Sequence, residues 1–442
     1  MDAILPMTLF RHEPPGRLSP LQTLLEKRHS GAVVAVALTV VALVLLAGAF
    51  IFGLGWLGSW RLIGFPSSLP PFLDFHPVLL NAARCGADPN GIYPYVPCAY
   101  ATNAFNYPPV WLLLGKLGLT TDDTNWLAVA IEISAAAMLV YLLRGYSVRA
   151  GLIALPLILS PSIALAFERA NIDLVEFVLV GLAAIALARR GRSAAALSFV
   201  LLAVAVVAKF LAVFCCAIAL KLTRRTILLA VALGLFTAAY LYSLAPVLPY
   251  IRSITPVSPF VSYGYPIIFD RIELLYGPRF GWNVAGLTQS WVPLACVLAV
   301  LLLSAVWAFA VYRSRRDVYR ISDGQSGIAF IFGVSIFLGT FLLLGTSFTY
   351  RLIFLLLALP QLFDWIETPG ATNRASARLS YVILACGVVS LWLKFHPEKT
   401  LHINQMTDWM LFAIFTMLFV LNLLRALPRS FTGAVGLKPA SA

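Results

Sequence analysis

Apolar residues along this chain fall into blocks at 32–55, 125–143, 150–167, 172–188, 194–208, 210–220, 226–245, 291–312, 326–346, 350–363, 379–394 and 407–425, each bounded by polar or charged positions. Most approach the about 20 residues an α-helix needs to cross hydrocarbon, and they are continuous runs, not the alternating pattern of barrel strands. The pattern predicts an all-α polytopic membrane protein with about twelve transmembrane helices. The first block, Ala32 to Leu54, is longer than the apolar region of a signal peptide and lacks a small-residue cleavage site, so it is expected to remain as a span. The stretch 194–220 is the exception to a simple parse, because its 27 residues carry Lys209 at the centre. It is read as two short segments that turn near Lys209, a break tolerated at membrane depth only where protein or water covers the backbone.

The polar positions between blocks orient the spans. Lys27 and Arg28 precede the first one, and basic residues recur in alternate gaps, at Arg144 and Arg149, Arg189, Arg190 and Arg192, Lys221, Arg224 and Arg225, Arg313, Arg315 and Arg316, and Arg374 and Arg378. The excess of Lys and Arg on cytoplasmic loops places all of these inside, together with both termini. The chain then divides into a cytoplasmic segment 1–31, a transmembrane domain 32–425 and a cytoplasmic tail 426–442. Two long outside loops remain, 56–124 and 246–290, and loops of that size are usually functional or disordered. The first, with Tyr93-Pro94-Tyr95-Val96-Pro97 and Asn106-Tyr107-Pro108-Pro109, is expected to be structured and to lie on the membrane, with an interfacial or re-entrant helix in Pro109 to Leu119.

Composition narrows the class. Hydrophobic residues make up 60% and charged residues 12% of the 442, far from an ordinary soluble domain. The net charge of +13 is spread in short clusters between apolar blocks, so it reads as orientation signal and a nucleic-acid partner is excluded. No internal repeat is evident, which weakens a transporter built from paired repeats. Glycine-rich phosphate loops are absent, which argues against a cytoplasmic nucleotide as substrate.

Several polar residues stand where water is scarce. Asp74, in Phe72-Leu73-Asp74-Phe75-His76, is a carboxylate among apolar neighbours: either a partly desolvated base or the N-cap of a helix beginning at Phe75. Glu168-Arg169-Ala170-Asn171-Ile172-Asp173 forms the whole connection between two blocks. It is either a polar turn with caps or a grip on a sugar or phosphate, for which Arg169 has the suitable planar fork. Glu176 and Glu132 are carboxylates within spans, functional by default or paired with a cation. Lys209 either snorkels or meets an anion, and Arg351 and His396 sit at later outside span ends, as surface anchors or as further cations for the same anion. No metal site is expected, since the five His are dispersed and no zinc-type Cys/His spacing occurs.

A multi-span chain whose first outside loop carries Asp74-Phe75, followed at a distance by Tyr107-Pro108-Pro109, resembles the GT-C superfamily of polyprenyl-phosphate-dependent glycosyltransferases, and most of all glycosyltransferase family 87. The span count and a Lys at a break halfway along the chain fit that resemblance. It implies a multi-pass enzyme of the inner membrane with its site facing outside, needing no cofactor. Such an enzyme moves a hexose, mannosyltransferase-like, from a polyprenyl-phosphate donor to a lipid or glycan acceptor, with inversion. Asp74 matches the acidic residue that deprotonates the acceptor. Lys209, Arg169 and Arg351 become candidates for the donor phosphate, and His76, Glu168, Asn171, Asp173, Tyr107 and His396 for substrate contacts. The alternatives are a flippase or transporter of a lipid-linked or anionic substrate, and a polysaccharide polymerase or ligase.

Cys85 and Cys98 share the first outside loop, whereas Cys215, Cys216, Cys296 and Cys386 fall in apolar blocks and read as packing residues. A Cys85–Cys98 disulfide is expected, closing a loop worth about 3 kcal/mol in the chain-entropy model. Non-reducing mass spectrometry checks it, and two free thiols in protein isolated without reductant would refute it.

Overall fold

The computed structural model describes residues 31, 35, 39, 54–62, 69, 71–86, 107–189, 191–246, 248–249, 251, 261–280, 290–314, 318–344, 346–368, 370–393 and 403–427. His396 and Cys98 lie outside these, as does the side chain of Cys85. Among the described residues helices predominate. In order it runs through α1 (Gly55–Leu62), α2 (His76–Gly86), α3 (Leu113–Lys116), α4 (Thr124–Leu143), α5 (Val148–Ile158), α6 (Pro161–Glu168), α7 (Ile172–Ala188), α8 (Arg192–Lys209) and α9 (Arg224–Ser243). It continues with β1 (Ser262–Tyr263), α10 (Ile267–Phe280), α11 (Val292–Arg313), α12 (Gln325–Leu343), β2 (Ser347–Phe348), α13 (Leu359–Glu367), α14 (Ala371–Trp392) and α15 (Ile403–Ala426). Two long 3₁₀ helices, Leu211–Lys221 and Thr349–Ala358, are interposed, and a short one, Pro109–Leu112, leads into α3.

Among the described residues eight helices are long and apolar enough to cross a membrane, or up to nine if the pair α5 and α6, bent by 69°, forms one span. The distance from the expected twelve has identifiable sources. The block 32–55 lies mostly outside the described residues. Helix α7 has 17 residues, and the block 210–220 is a 3₁₀ helix of 11. The bend between α5 and α6 follows from sequence: Pro156 removes a ladder donor within α5, and Ser160 opens α6 by accepting from the Ile163 amide.

Helix α12 is the hub. It is apolar all round and buried over most of its length, as expected of a helix with neighbours on every face. Gly333 and Gly339 allow this, because a Cβ at Gly333 would collide with the Phe354 carbonyl and one at Gly339 with the Phe214 ring. The two long 3₁₀ helices press on α12 at these glycines. Phe341 stacks on Phe412 of α15 at 4.6 Å between centroids, continuing the core toward the C-terminus.

Hydrogen bonds gather the basic gaps at one end. Tyr146 donates to Asp364 (2.9 Å), Ser147 to Glu367 (3.0 Å from its amide), and Trp365 to the Arg320 carbonyl (2.9 Å). The Ser322 amide donates to Gln361 (2.8 Å), Lys221 to Asp323 (2.8 Å), and Arg225 to the Arg189 carbonyl (2.8 Å). The last contact fixes the course of the stretch around Lys209. Helix α8 leaves this end over about 27 Å, and the 3₁₀ helix Leu211–Lys221 covers about 22 Å at its longer rise. The chain therefore reverses between them. The turn falls at Phe210, whose φ of 66° is left-handed.

At the opposite end the first long loop contributes a small core of its own, with Phe75, Val78, Leu79 and Leu112 against Ala128, Ala170, Ile172 and Leu244. The apolar segment expected to form a short helix there does so, as the 3₁₀ turn Pro109–Leu112 and α3. The second long loop is pinned to the same end by the antiparallel pair β1 and β2, with Ser262 opposite Phe348 and Tyr263 opposite Ser347.

Candidate active site

Three sharp backbone positions aim side chains into one place. Among the described residues five non-glycine residues have positive φ, and three of these lie within two positions of polar site residues: Phe72 (59°) two before Asp74, Ala170 (43°) between Arg169 and Asn171, and Phe210 (66°) after Lys209. Such conformations cost roughly 1–3 kcal/mol each and persist where surrounding structure over-determines them. Asn171 caps α7 by accepting from the Asp173 amide at 2.9 Å, which leaves its amide group free to face the loop that carries Asp74.

Asp74 does not spend its carboxylate on the start of α2. Its Oδ1 accepts from Arg169 Nη1 at 3.1 Å, and its Oδ2 accepts from Asn171 Nδ2. Lys209 donates to Asn171 Oδ1 at 2.9 Å, and its Nζ pairs with Asp173 Oδ1 at 2.6 Å. Asp173 Oδ2 faces Arg351 Nε at 3.8 Å, while Arg351 Nη1 donates to Ser347 Oγ at 2.8 Å, just after the two-stranded pairing. Glu168 lies 3.8 Å from Arg169 Nε. The Lys209 ammonium also sits 5.4 Å from the Tyr107 ring centroid and 5.5 Å from that of Tyr350, within cation–π range of both. One continuous network thus runs from Asp74 through Arg169, Asn171, Lys209 and Asp173 to Arg351.

The network has a buried floor and an accessible rim. Glu168, Asn171, Asp173 and Glu176 are at most 1% exposed. The side chains of Asp74, Arg169, Lys209 and Arg351 keep between 11% and 24%. Of the charged groups in the network, the partly exposed ones are therefore one carboxylate and three cations. Burial by itself would lower the Arg169 pKa, but Asp74 and Glu168 more than offset it, so the guanidinium stays charged. Burial, reinforced by Asp74, pushes the Tyr107 phenol well above its ordinary value, so it remains neutral beside Lys209.

No protein-family model, curated protein or solved structure matches this chain.

The structure brings together Asp74, Arg169, Glu168, Asn171, Asp173, Lys209, Arg351 and Tyr107. His76 stands apart from the ion network: its Nδ1 is 3.3 Å from Thr124 Oγ1, which itself donates to the Thr121 carbonyl at 2.7 Å. Glu132 in α4 forms no ion pair among the described residues. Sequence reasoning missed Tyr350, Ser347 and Trp111. Tyr350 had a signal in its adjacency to Arg351. Trp111, whose Nε1 donates to the Ala208 carbonyl at 2.9 Å, had none, because an indole in an apolar run reads as packing. Among the described residues no group of three or more His, Cys, Asp or Glu side chains is arranged to hold a metal ion.

Proposed function

We propose that this chain is a membrane glycosyltransferase of the GT-C kind, which moves a sugar from a polyprenyl-phosphate donor to a lipid or glycan acceptor on the extracytoplasmic face of the inner membrane. The observation that carries this reading is the rim: one accessible carboxylate, Asp74, beside three accessible cations, Arg169, Lys209 and Arg351. Asp74 accepts the acceptor hydroxyl's proton. Its two oxygens offer about four lone-pair sites and each is engaged once by the protein, so a hydroxyl still finds a place. The acceptor oxygen bonds to the anomeric carbon as the bond from that carbon to the phosphate oxygen breaks, with inversion. The released polyprenyl phosphate takes up the electron pair, and Lys209, Arg351 and Arg169 share its added charge. Charge stabilisation of this type is commonly the largest catalytic contribution.

The decisive experiment incubates purified protein in lipid with a radiolabelled polyprenyl-phosphate hexose and a membrane-lipid extract as acceptor. Transfer of label supports the reading. Donor that is bound but never consumed, together with movement of label across a sealed vesicle, would replace it with the transporter reading, which the helix break at Phe210 also suits.

The proposed sidedness has its own test. Tags at Arg190, Arg224 and Arg315 are expected on the cytoplasmic side, and tags near Asn90 and Tyr263 outside. Labelling at Arg224 from the outside would overturn the orientation.

A further inference from the structure

The turn at Phe210 interrupts the backbone ladder at the site end of the bundle and strands polar groups on both sides. On the α8 side three are met. The Val206 carbonyl accepts from the Phe210 amide (2.8 Å), that of Val207 from the Tyr240 hydroxyl (3.2 Å), and that of Ala208 from Trp111 (2.9 Å). On the other side the Val213 amide returns to the Phe210 carbonyl (3.1 Å), while the Ala212 amide donates to Glu176 Oε1 at 2.7 Å. Glu176 is fully buried, and its other oxygen, Oε2, has no hydrogen bond among the described residues. A carboxyl group in such a place is costly, and a leucine would fill it at less expense.

Its place on α7 explains it. Glu176 lies three residues beyond Asp173, on the same helix face. Asp173 holds the Lys209 ammonium, and Glu176 holds the backbone three residues after Lys209. We infer that Glu176 is a positioning residue, which fixes the turn at Phe210 and so delivers Lys209 to the donor phosphate. The inference rests on the donor-site reading of Lys209. What matters at position 176 is an oxygen that accepts the Ala212 amide.

Binding of farnesyl phosphate, a short isoprenoid monophosphate, to the full chain in lipid nanodiscs tests this by calorimetry. Glu176→Leu should weaken binding about tenfold, as expected for loss of one buried hydrogen bond that leaves the Ala212 amide unpaired. Glu176→Gln, whose amide oxygen accepts the same bond, should stay within about threefold of the parent. Adding Glu176→Leu to Lys209→Ala should weaken binding no further, since both act through one contact. A tenfold loss with Glu176→Gln would overturn the inference, and this variant decides alone if Glu176→Leu fails to fold. Additive losses in the double variant, or near-normal binding by Glu176→Leu beside a weakened Lys209→Ala, would also overturn it. Normal binding by Lys209→Ala would overturn the donor-site reading itself, and this role of Glu176 with it.

Discussion

Asp74→Asn is expected to lower turnover by about 10²–10⁴-fold, the usual cost of losing a general base, while farnesyl phosphate still binds. The substitution changes little else. Asn has nearly the shape of Asp, and its single carbonyl oxygen can still accept from Arg169 or Asn171, the two donors that hold Asp74 now. It cannot take a proton at neutral pH, because an amide has no basic lone pair of the needed strength. Initial rates of label transfer by purified variant and parent decide the matter, with thermal melting alongside. Turnover near the parent value would remove Asp74 from the mechanism. Parallel loss of yield and melting temperature would make it a structural tie between the first long loop and the start of α7.

Lys209→Ala should weaken farnesyl phosphate binding roughly 10–100-fold, from the loss of a charge-assisted contact. It should also destabilise the fold. The fully buried Asp173 carboxylate would lose its 2.6 Å partner and keep only Arg351, whose Nε is 3.8 Å away. Breaking a buried pair in this way typically costs about 3–5 kcal/mol. The two effects are separable. Asp173→Asn removes the stranded charge, so the double variant with Lys209→Ala should regain much of the melting temperature while binding stays weak. Recovery of binding together with stability would mean that Lys209 serves only to neutralise Asp173.

The course of the helices was largely written in the apolar blocks, because a span must be continuous and near a fixed length. The reversal beside Lys209 was legible for a related reason: a charge midway along an apolar run, followed by a basic cluster, leaves few other paths. The identity of several polar residues at the site was legible too, since Asp74, Arg169, Asp173 and Lys209 are exceptions to their surroundings. Their pairing was not. Asp74 and Arg169 are separated by 95 residues, and no local pattern announces that Asp173 lies between Lys209 and Arg351. The supporting groups were hidden for a different reason. Trp111 and Tyr240 act through one polar atom on a large apolar body, which a hydrophobicity pattern counts only as apolar. Phe72, Ala170 and Phe210 turn the chain without glycine, so the usual marker of a left-handed residue is missing.

The pairing of Asp173 with Lys209 bears on how the protein is made. The two residues sit on α7 and α8, which are consecutive in the chain, so they meet as soon as that hairpin has emerged. Arg351 is synthesised about 140 residues later, roughly 7–30 s at ribosomal speeds of about 5–20 residues per second. During that interval the hairpin must lodge in the bilayer without its third charge. Asp173 and Lys209 offset each other within the hairpin, and Arg351 docks onto a pair that is already assembled.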